Sequence, residues 1–424
     1  THAQEFNYDD SWGKQGFQLT QQKASGVEVN FSIRSFAIDK SLINGESMDV
    51  LELPGTFLPN DEGAPNLPGN GRFIAIPEGA TATFEVTATR TETFKDVEMA
   101  PAPRIPWETE TGPLDYHKDE AIYTKDAFYP ENPVILSEVT EIRGVDVVTL
   151  GITPFQYNPV SKELVVYRDL KVKVNFSGGN GHFGDDRYRS RWWDPIMADM
   201  FLNYESMPKM DYNMSFQATD DMGCEYLIIT PTNPEFLQWA DSIKEFRTKQ
   251  GILTDIMTVE DAGGNNVSTL ETFFNDAYNN WDIVPSAVLI LGDYGTSSAT
   301  SITSPIWSNY CVSDNIWSDV SGNSMPDIVF ARMTAQNAAQ LEVMVTKFMD
   351  YERNPPTNPD FYAEPIIAGG WQTERWFILC DEVIYGYLEN ELGKTPVREY
   401  AIYSGSPTTW STATNTATVV NYFG

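Results

Sequence analysis

The period of the apolar residues changes near residue 225, and this change limits the folds open to the chain. Before it the pattern runs in twos. VEVNFSIRSFAI sets Val27, Val29, Phe31 and Ile33 on alternate positions, as a half-buried strand requires. TATFEVTAT, GVDVVTLGITPF, ELVVY and LKVKVNF read the same way, parted by Gly, Pro and Asn turns. Many short strands without helical pattern between them imply an all-β, antiparallel sandwich-like or barrel-like domain over residues 1–180. SGGNGHFGDDRYRSRWW follows, Gly-rich and then basic, so 181–221 reads as a linker or junction.

From Glu225 strands alternate with helices. EYLIIT is a short buried strand, and the next helical stretch carries Phe236, Trp239, Ile243 and Phe246, with Pro234 near its start and Gly251 as its stop. ILTDIMTV is a strand, STLETFFNDAYNNW a helix with Ser268 as its cap, and SAVLILGD a strand. A helical pattern runs from Ala335 to about Arg353. NPPTNPDFYAEP then breaks the chain before EPIIAGG, a helix from Trp376 to Leu392, REYAIYS and a final helical segment. This order means a parallel sheet covered on both faces, in one α/β unit over 222–358 and a second, incomplete one over 359–424.

The 424 residues exceed one ordinary core, and 28 Lys and Arg against 60 Asp and Glu give a net charge of −32. That charge excludes nucleic acid and anionic membrane surfaces as partners. No apolar run approaches the roughly 20 residues of a spanning helix. The chain opens THAQEF, without a charged start and apolar stretch, so a secreted or cell-surface protein is expected with its signal peptide already removed. Cys224, Cys311 and Cys380 fit neither a zinc pattern nor a disulfide framework, and each is expected to be a small buried hydrophobe. His2, His117 and His182 all precede the α/β half, so no Ser/His or Cys/His pair can be assembled from residues 222–424. His117, among the charges of DYHKDE, reads as a solvated loop residue. No nucleotide-loop, HExxH or CxxC pattern occurs, and no organic cofactor is expected.

Reactive groups of open α/β sheets collect at the carboxyl ends of strands. Asp293 stands there in LGDYGTSS and Glu374 in AGGWQTER. SDNIWSDVSGNSMPDIVFAR gathers the hard oxygen donors Asp314, Asp319, Asn323 and Asp327 around Gly322. Two readings stay open for it: a calcium loop completed by carbonyls and waters, or a metal-free turn whose Asp and Asn side chains bond backbone amides. Arg332 ends the following strand, where it either pairs with a carboxylate or lines a cleft.

Four pieces in order, EYLIITPTNPEFLQWADSIKEFRTKQGILT, VLILGDYG, SDNIWSDVSGNSMPDIVFARM and KFMDYERNPP, resemble the catalytic domain of gingipain-family cysteine peptidases. That family shows a Gly-Asp after its third strand, then a Ser-Asp loop leading into a Pro-Asp-Ile strand that ends in Gly-Arg. Here the last pair is Ala331-Arg332. The β half, with the stretch around GGNGHFGDDRYRSRWW, is similar to the family's propeptide and junction.

The resemblance implies a caspase-like α/β/α sandwich of two subdomains, preceded by an inhibitory propeptide. It places the catalytic His and Cys in sequence beyond residue 424, and gives Glu374 the role of orienting that His. No acid stands near Phe377, where the family selects basic substrate side chains, so Arg or Lys specificity is not implied. The implied partners are protein or peptide substrates, the propeptide with the catalytic domain, and the carboxy-terminal remainder of the peptidase. Arg187, Arg189, Arg191 and Lys209 mark the junction as the maturation site, since mobile basic segments are preferred by proteases. Trp192, Trp193, Phe201 and Tyr204 would anchor the two domains to each other. A silent secreted scaffold or adhesion module with a peptidase-like fold is the alternative. A carbohydrate-binding role for the β half is a further one.

Overall fold

The computed structural model describes residues 4–54, 56, 61–104, 114–212, 223–369, 376–390 and 392–400. Glu374 and the helical segment expected after residue 400 lie outside them, as does His2.

In the first half, the long strand Glu163–Gly178 pairs with Ala80–Phe94 along one side and with Gly26–Ser32 and Phe155–Asn158 along the other. All these pairings are antiparallel, and Gly16–Lys23 extends the sheet beyond Gly26–Ser32. Two smaller antiparallel sheets complete the domain, one built on Ser35–Ile43 and the other on Val145–Ile152. The alternation seen in the sequence is a division of faces. Val27, Val29, Phe31 and Ile33 are buried, and they meet Leu170, Val172 and Val174 in one core shared by the three sheets.

In the second half, four parallel strands stand in the order Thr254–Thr258, Tyr226–Thr230, Ala287–Leu291, Val329–Met333. Successive residues of these strands feed opposite faces. Leu227, Ile229, Val288 and Ile290 pack with the helix Val267–Asn280, while Ile228, Leu289 and Leu291 pack with Pro234–Lys249 and Ala338–Arg353. Side chains of this kind on both faces explain why the strands read as unbroken apolar runs. Asn233, Asn266 and Asn337 cap the three helices, each accepting a hydrogen bond from a first-turn amide. Ser268 is therefore not a cap. It donates to Asn266, which lies one residue before the helix. Beyond the proline-rich break, Ile366–Gly369 pairs in parallel with Val397–Tyr400, and the helix Trp376–Asn390 packs on the former. Glu382 of that helix holds Arg398 through two hydrogen bonds of 2.6 and 2.7 Å.

Two expectations are corrected. Cys224 is buried, but Cys311 and Cys380 are exposed. The junction is not an extended linker: it carries a short turn of helix at Asp186–Tyr188 and an α-helix at Trp193–Met200. Among the described residues no helix is long and apolar enough to cross a membrane.

Candidate functional site

At the carboxyl end of the sheet, Arg332 uses all five of its N–H donors. Two go to the Asp314 carboxylate at 2.7 and 2.8 Å, and three to the carbonyls of Gly292, Ile302 and Thr303 at 3.0–3.1 Å. A planar guanidinium suits such a set, because its donors leave in fixed directions. Gly292 and Ile302 lie after the neighbouring strand, and Asp314 opens the acidic loop. Arg332 thus closes the base of the segment 303–313, whose small hairpin, Ile306–Trp307 with Cys311–Val312, exposes Ile306, Trp307 and Tyr310. Of the two roles open to this arginine, pairing with a carboxylate is the one observed. Asp293 is half-buried and accepts from Gln336 Nε2 at 2.9 Å and from the Tyr294 amide at 2.8 Å. These bonds, the Gln336 one foremost, hold its carboxyl below the usual range.

The acidic loop is laced by backbone donors. Asp319 accepts from the amides of Asn323 and Ser324, both at 2.9 Å, and Asn323 Oδ1 accepts from the Met325 amide at 2.9 Å. Asp327, almost wholly buried, accepts from the Ser321 amide at 2.8 Å. Among the described residues no three His, Cys, Asp or Glu side chains converge as a metal-binding group. Backbone amides thus bond oxygens of Asp319, Asn323 and Asp327 in the manner of Asx turns, while Asp314 is held by Arg332.

The opposite, amino end of the sheet is where the β domain docks. Arg187 donates to the carbonyl of Trp281 at 3.0 Å, and Arg191 grips Glu225 at 3.0 and 3.2 Å and also reaches the carbonyl of Gly251. Arg189 is tied within the junction to Asp194 by two bonds of 2.6 and 2.7 Å. Of the four basic residues singled out from the sequence, Lys209 alone is exposed and outside helix or strand. The aromatic residues divide. Trp193 is buried and its indole donates to the carbonyl of Ser286 at 3.2 Å, whereas Phe201 packs on Ala75 and Val147 of the β domain. Tyr204 bonds Asp194 at 2.8 Å. Trp192 is exposed and lines, with Ile196, Tyr226, Ile252 and Val329, an apolar cavity of about 240 Å³.

Sequence reasoning missed Arg143. It stands at the tip of the hairpin Thr140–Ile142 and Val145–Ile152 of the β domain, yet it is fully buried. Its guanidinium donates to the carbonyls of Tyr188, Pro285 and Asp327, 3.0 and 3.1 Å away in the first two cases. It also lies 5.0 Å from the Trp193 ring centre and 5.6 Å from that of Tyr278. Burial lowers its pKa to about 10, against the pull of Tyr278 and Asp327. A charged residue at an Arg-Gly turn gives no local sign that a second domain will cover it.

Comparison with known proteins matches residues 15–211 to the Propeptide_C25 model and residues 219–421 to that of peptidase family C25. Lys-gingipain W83 of Porphyromonas gingivalis is 22% identical over 403 residues, which cover 91% of this chain and 23% of that protein. Gingipain R2 of the same organism is 23% identical over 357 residues, covering 82% and 46%. The chain thus spans less than half the length of either relative. A solved complex of Porphyromonas gingivalis RgpB pro- and mature domains aligns over 44% of this chain and 97% of that one, at 24% identity and a TM-score of 0.40, too loose a likeness to argue from. The two family models, lying end to end in the order of propeptide and peptidase, identify the chain as a member of the gingipain family of cysteine peptidases, peptidase family C25.

Proposed function

We propose that this chain is the propeptide and amino-terminal catalytic portion of a secreted, gingipain-like cysteine endopeptidase that acts on protein substrates. The observation that carries the reading is the succession of a propeptide match over 15–211 and a peptidase match over 219–421. In it the four-stranded sheet is the first subdomain of a caspase-like sandwich, and Ile366–Gly369 opens the second. The thiols of the described residues agree with a nucleophile supplied elsewhere. Cys224 is buried and its thiol is pushed up to about 12, mainly by burial, so it is held as the unreactive thiol. The α/β half contains no histidine to activate Cys311 or Cys380. The catalytic His and Cys are accordingly assigned to sequence after residue 424, with Glu374 as the group that orients the His.

The test is to extend the reading frame, express the longer protein, and treat it with a peptidyl alkylating inhibitor of cysteine peptidases. Label on a cysteine beyond residue 424, lost when that cysteine is replaced by Ala, is the expected outcome. Label confined to Cys311 or Cys380, or none after the propeptide is removed, would sink the reading.

A further inference from the structure

Arg143 is placed where a β-domain side chain has no reason of its own to be. The register pairs Val145 with Ile142, so the turn holds only Arg143 and Gly144, at φ of +46° and +73°. Two-residue hairpin turns with both φ positive favour Asn and Gly. Here an arginine takes the first position and lays its side chain between the junction and the α/β unit. The three carbonyls it meets come from three separate segments: Tyr188 in the junction, Pro285 before one central strand, and Asp327 before the next. Tyr188 stacks on Tyr278 with ring centres 4.5 Å apart, and a Cβ on Gly144 would lie 2.3 Å from the Tyr188 ring. Beside it Asn323 donates to the Glu141 carbonyl at 2.5 Å. The acceptors are neutral, so this contact differs from an exposed ion pair: salt has little to screen. It is also one-sided, because a guanidinium with donors in fixed directions can serve three carbonyls and an ammonium cannot match that geometry.

The contact lies at the amino ends of the parallel strands. Chemistry in open α/β sheets lies at the other end. Holding the β domain and covering a cleft are therefore separate jobs at separate places.

We propose that Arg143 is the latch by which the β domain recognises the amino end of the α/β sheet, so that the two domains stay joined when the junction is cut. The partner it fits is the pair of carbonyls of Pro285 and Asp327 at this sheet's amino end, with the junction's Tyr188 carbonyl completing the set and the rings of Trp193 and Tyr278 beside it. The inference goes beyond the peptidase reading and does not depend on where the nucleophile lies.

The experiment uses the full chain with a specific protease site inserted after Lys209. After cutting, the wild-type pieces should co-elute on a sizing column at micromolar concentration, and the fold by which R143A speeds dissociation of immobilised complex should change little between low and high salt. R143A should raise the dissociation rate at least about thirtyfold, the scale of an interface hot spot. Y278L, on the other domain, should raise it too, and R143A/Y278L should fall short of the product of the two effects. If uncut R143A is not recovered folded, R143K carries the same test, with at least about tenfold faster dissociation expected. An unchanged rate in R143A, or in R143K where R143A fails to fold, overturns the latch. Full multiplicativity in the double variant overturns the shared contact.

Discussion

Asp314 and Arg332, eighteen positions apart, face each other through two hydrogen bonds of 2.7 and 2.8 Å, and the same guanidinium holds three carbonyls from the neighbouring strand end. Both side chains are mostly buried, so neither partner can be removed without leaving the other unpaired in a poorly solvated place.

Removal of one partner should therefore cost far more than an exposed ion pair does. Arg332→Ala and Asp314→Ala should each destabilise the α/β unit by about 3–5 kcal/mol, the range for breaking a buried pair. Arg332→Lys should recover little of this, having no planar fork. Denaturant unfolding checks the magnitude. A loss below about 1 kcal/mol for both alanine variants would show the clamp to be dispensable.

Calcium should leave the melting midpoint unchanged. The Asp319 carboxylate already accepts two amides and Asp314 is taken by Arg332, so an ion would have to displace bonds rather than fill a vacancy. A bound ion stabilises by mass action, so midpoints in millimolar calcium and in chelator should coincide. Asp319→Ala should still destabilise by about 1–2 kcal/mol, as the loss of a capping acceptor does, and equally under both conditions. A calcium-dependent rise in the wild-type midpoint that Asp319→Ala abolishes would decide for the calcium reading over the metal-free turn.

Limited proteolysis with a trypsin-like enzyme should cut first after Lys209. Arg187, Arg189 and Arg191 are as basic, but each is held by two or more hydrogen bonds, and cleavage there needs local opening. Mass mapping of the first fragments decides the point. A first cut after any of the three arginines would mean that the junction opens more readily than its bonds suggest.

The three thiols should separate by reactivity. Cys311 and Cys380 are exposed, whereas burial pushes the Cys224 thiol up to about 12 and shields it from reagent. In native protein at pH 8, a mild alkylating agent should modify the first two and spare Cys224 until denaturant is added. Early modification of Cys224 would contradict the packing around the first parallel strand.

What the sequence disclosed depended on how local the cause was. Val27, Val29 and Phe31 announce a strand because the two-residue period is written into adjacent positions. Phe236, Ile243 and Phe246 likewise announce their helix. Asn266 was overlooked in favour of Ser268, because both residue types cap helices and only the backbone turn at Asn266 decides between them. The carboxylates of the acidic loop were visible, but their donors were not: Arg332 follows Asp314 by eighteen positions, and the amides have no sequence signature. Arg187, Arg189 and Arg191 looked like a free basic segment because their partners are mostly carbonyls and carboxylates brought in by folding. Arg143 was the least legible. Its surroundings are made by residues 188, 285 and 327, and nothing near position 143 records them.

The left-handed backbone at Arg143 has a further consequence, for the relation between fitness of a part and fitness of the whole. A non-glycine residue at φ of +46° costs its hairpin about 1–2 kcal/mol, which Gly would spare and Asn would reduce. The separated β domain gains little in return, since the contacts with Pro285, Asp327 and Tyr278 are then lost. Arg143→Gly should accordingly raise the melting point of the detached β domain while loosening its grip on the sheet. At this one position, selection for a sturdier domain and selection for a faithful partner pull toward different residues.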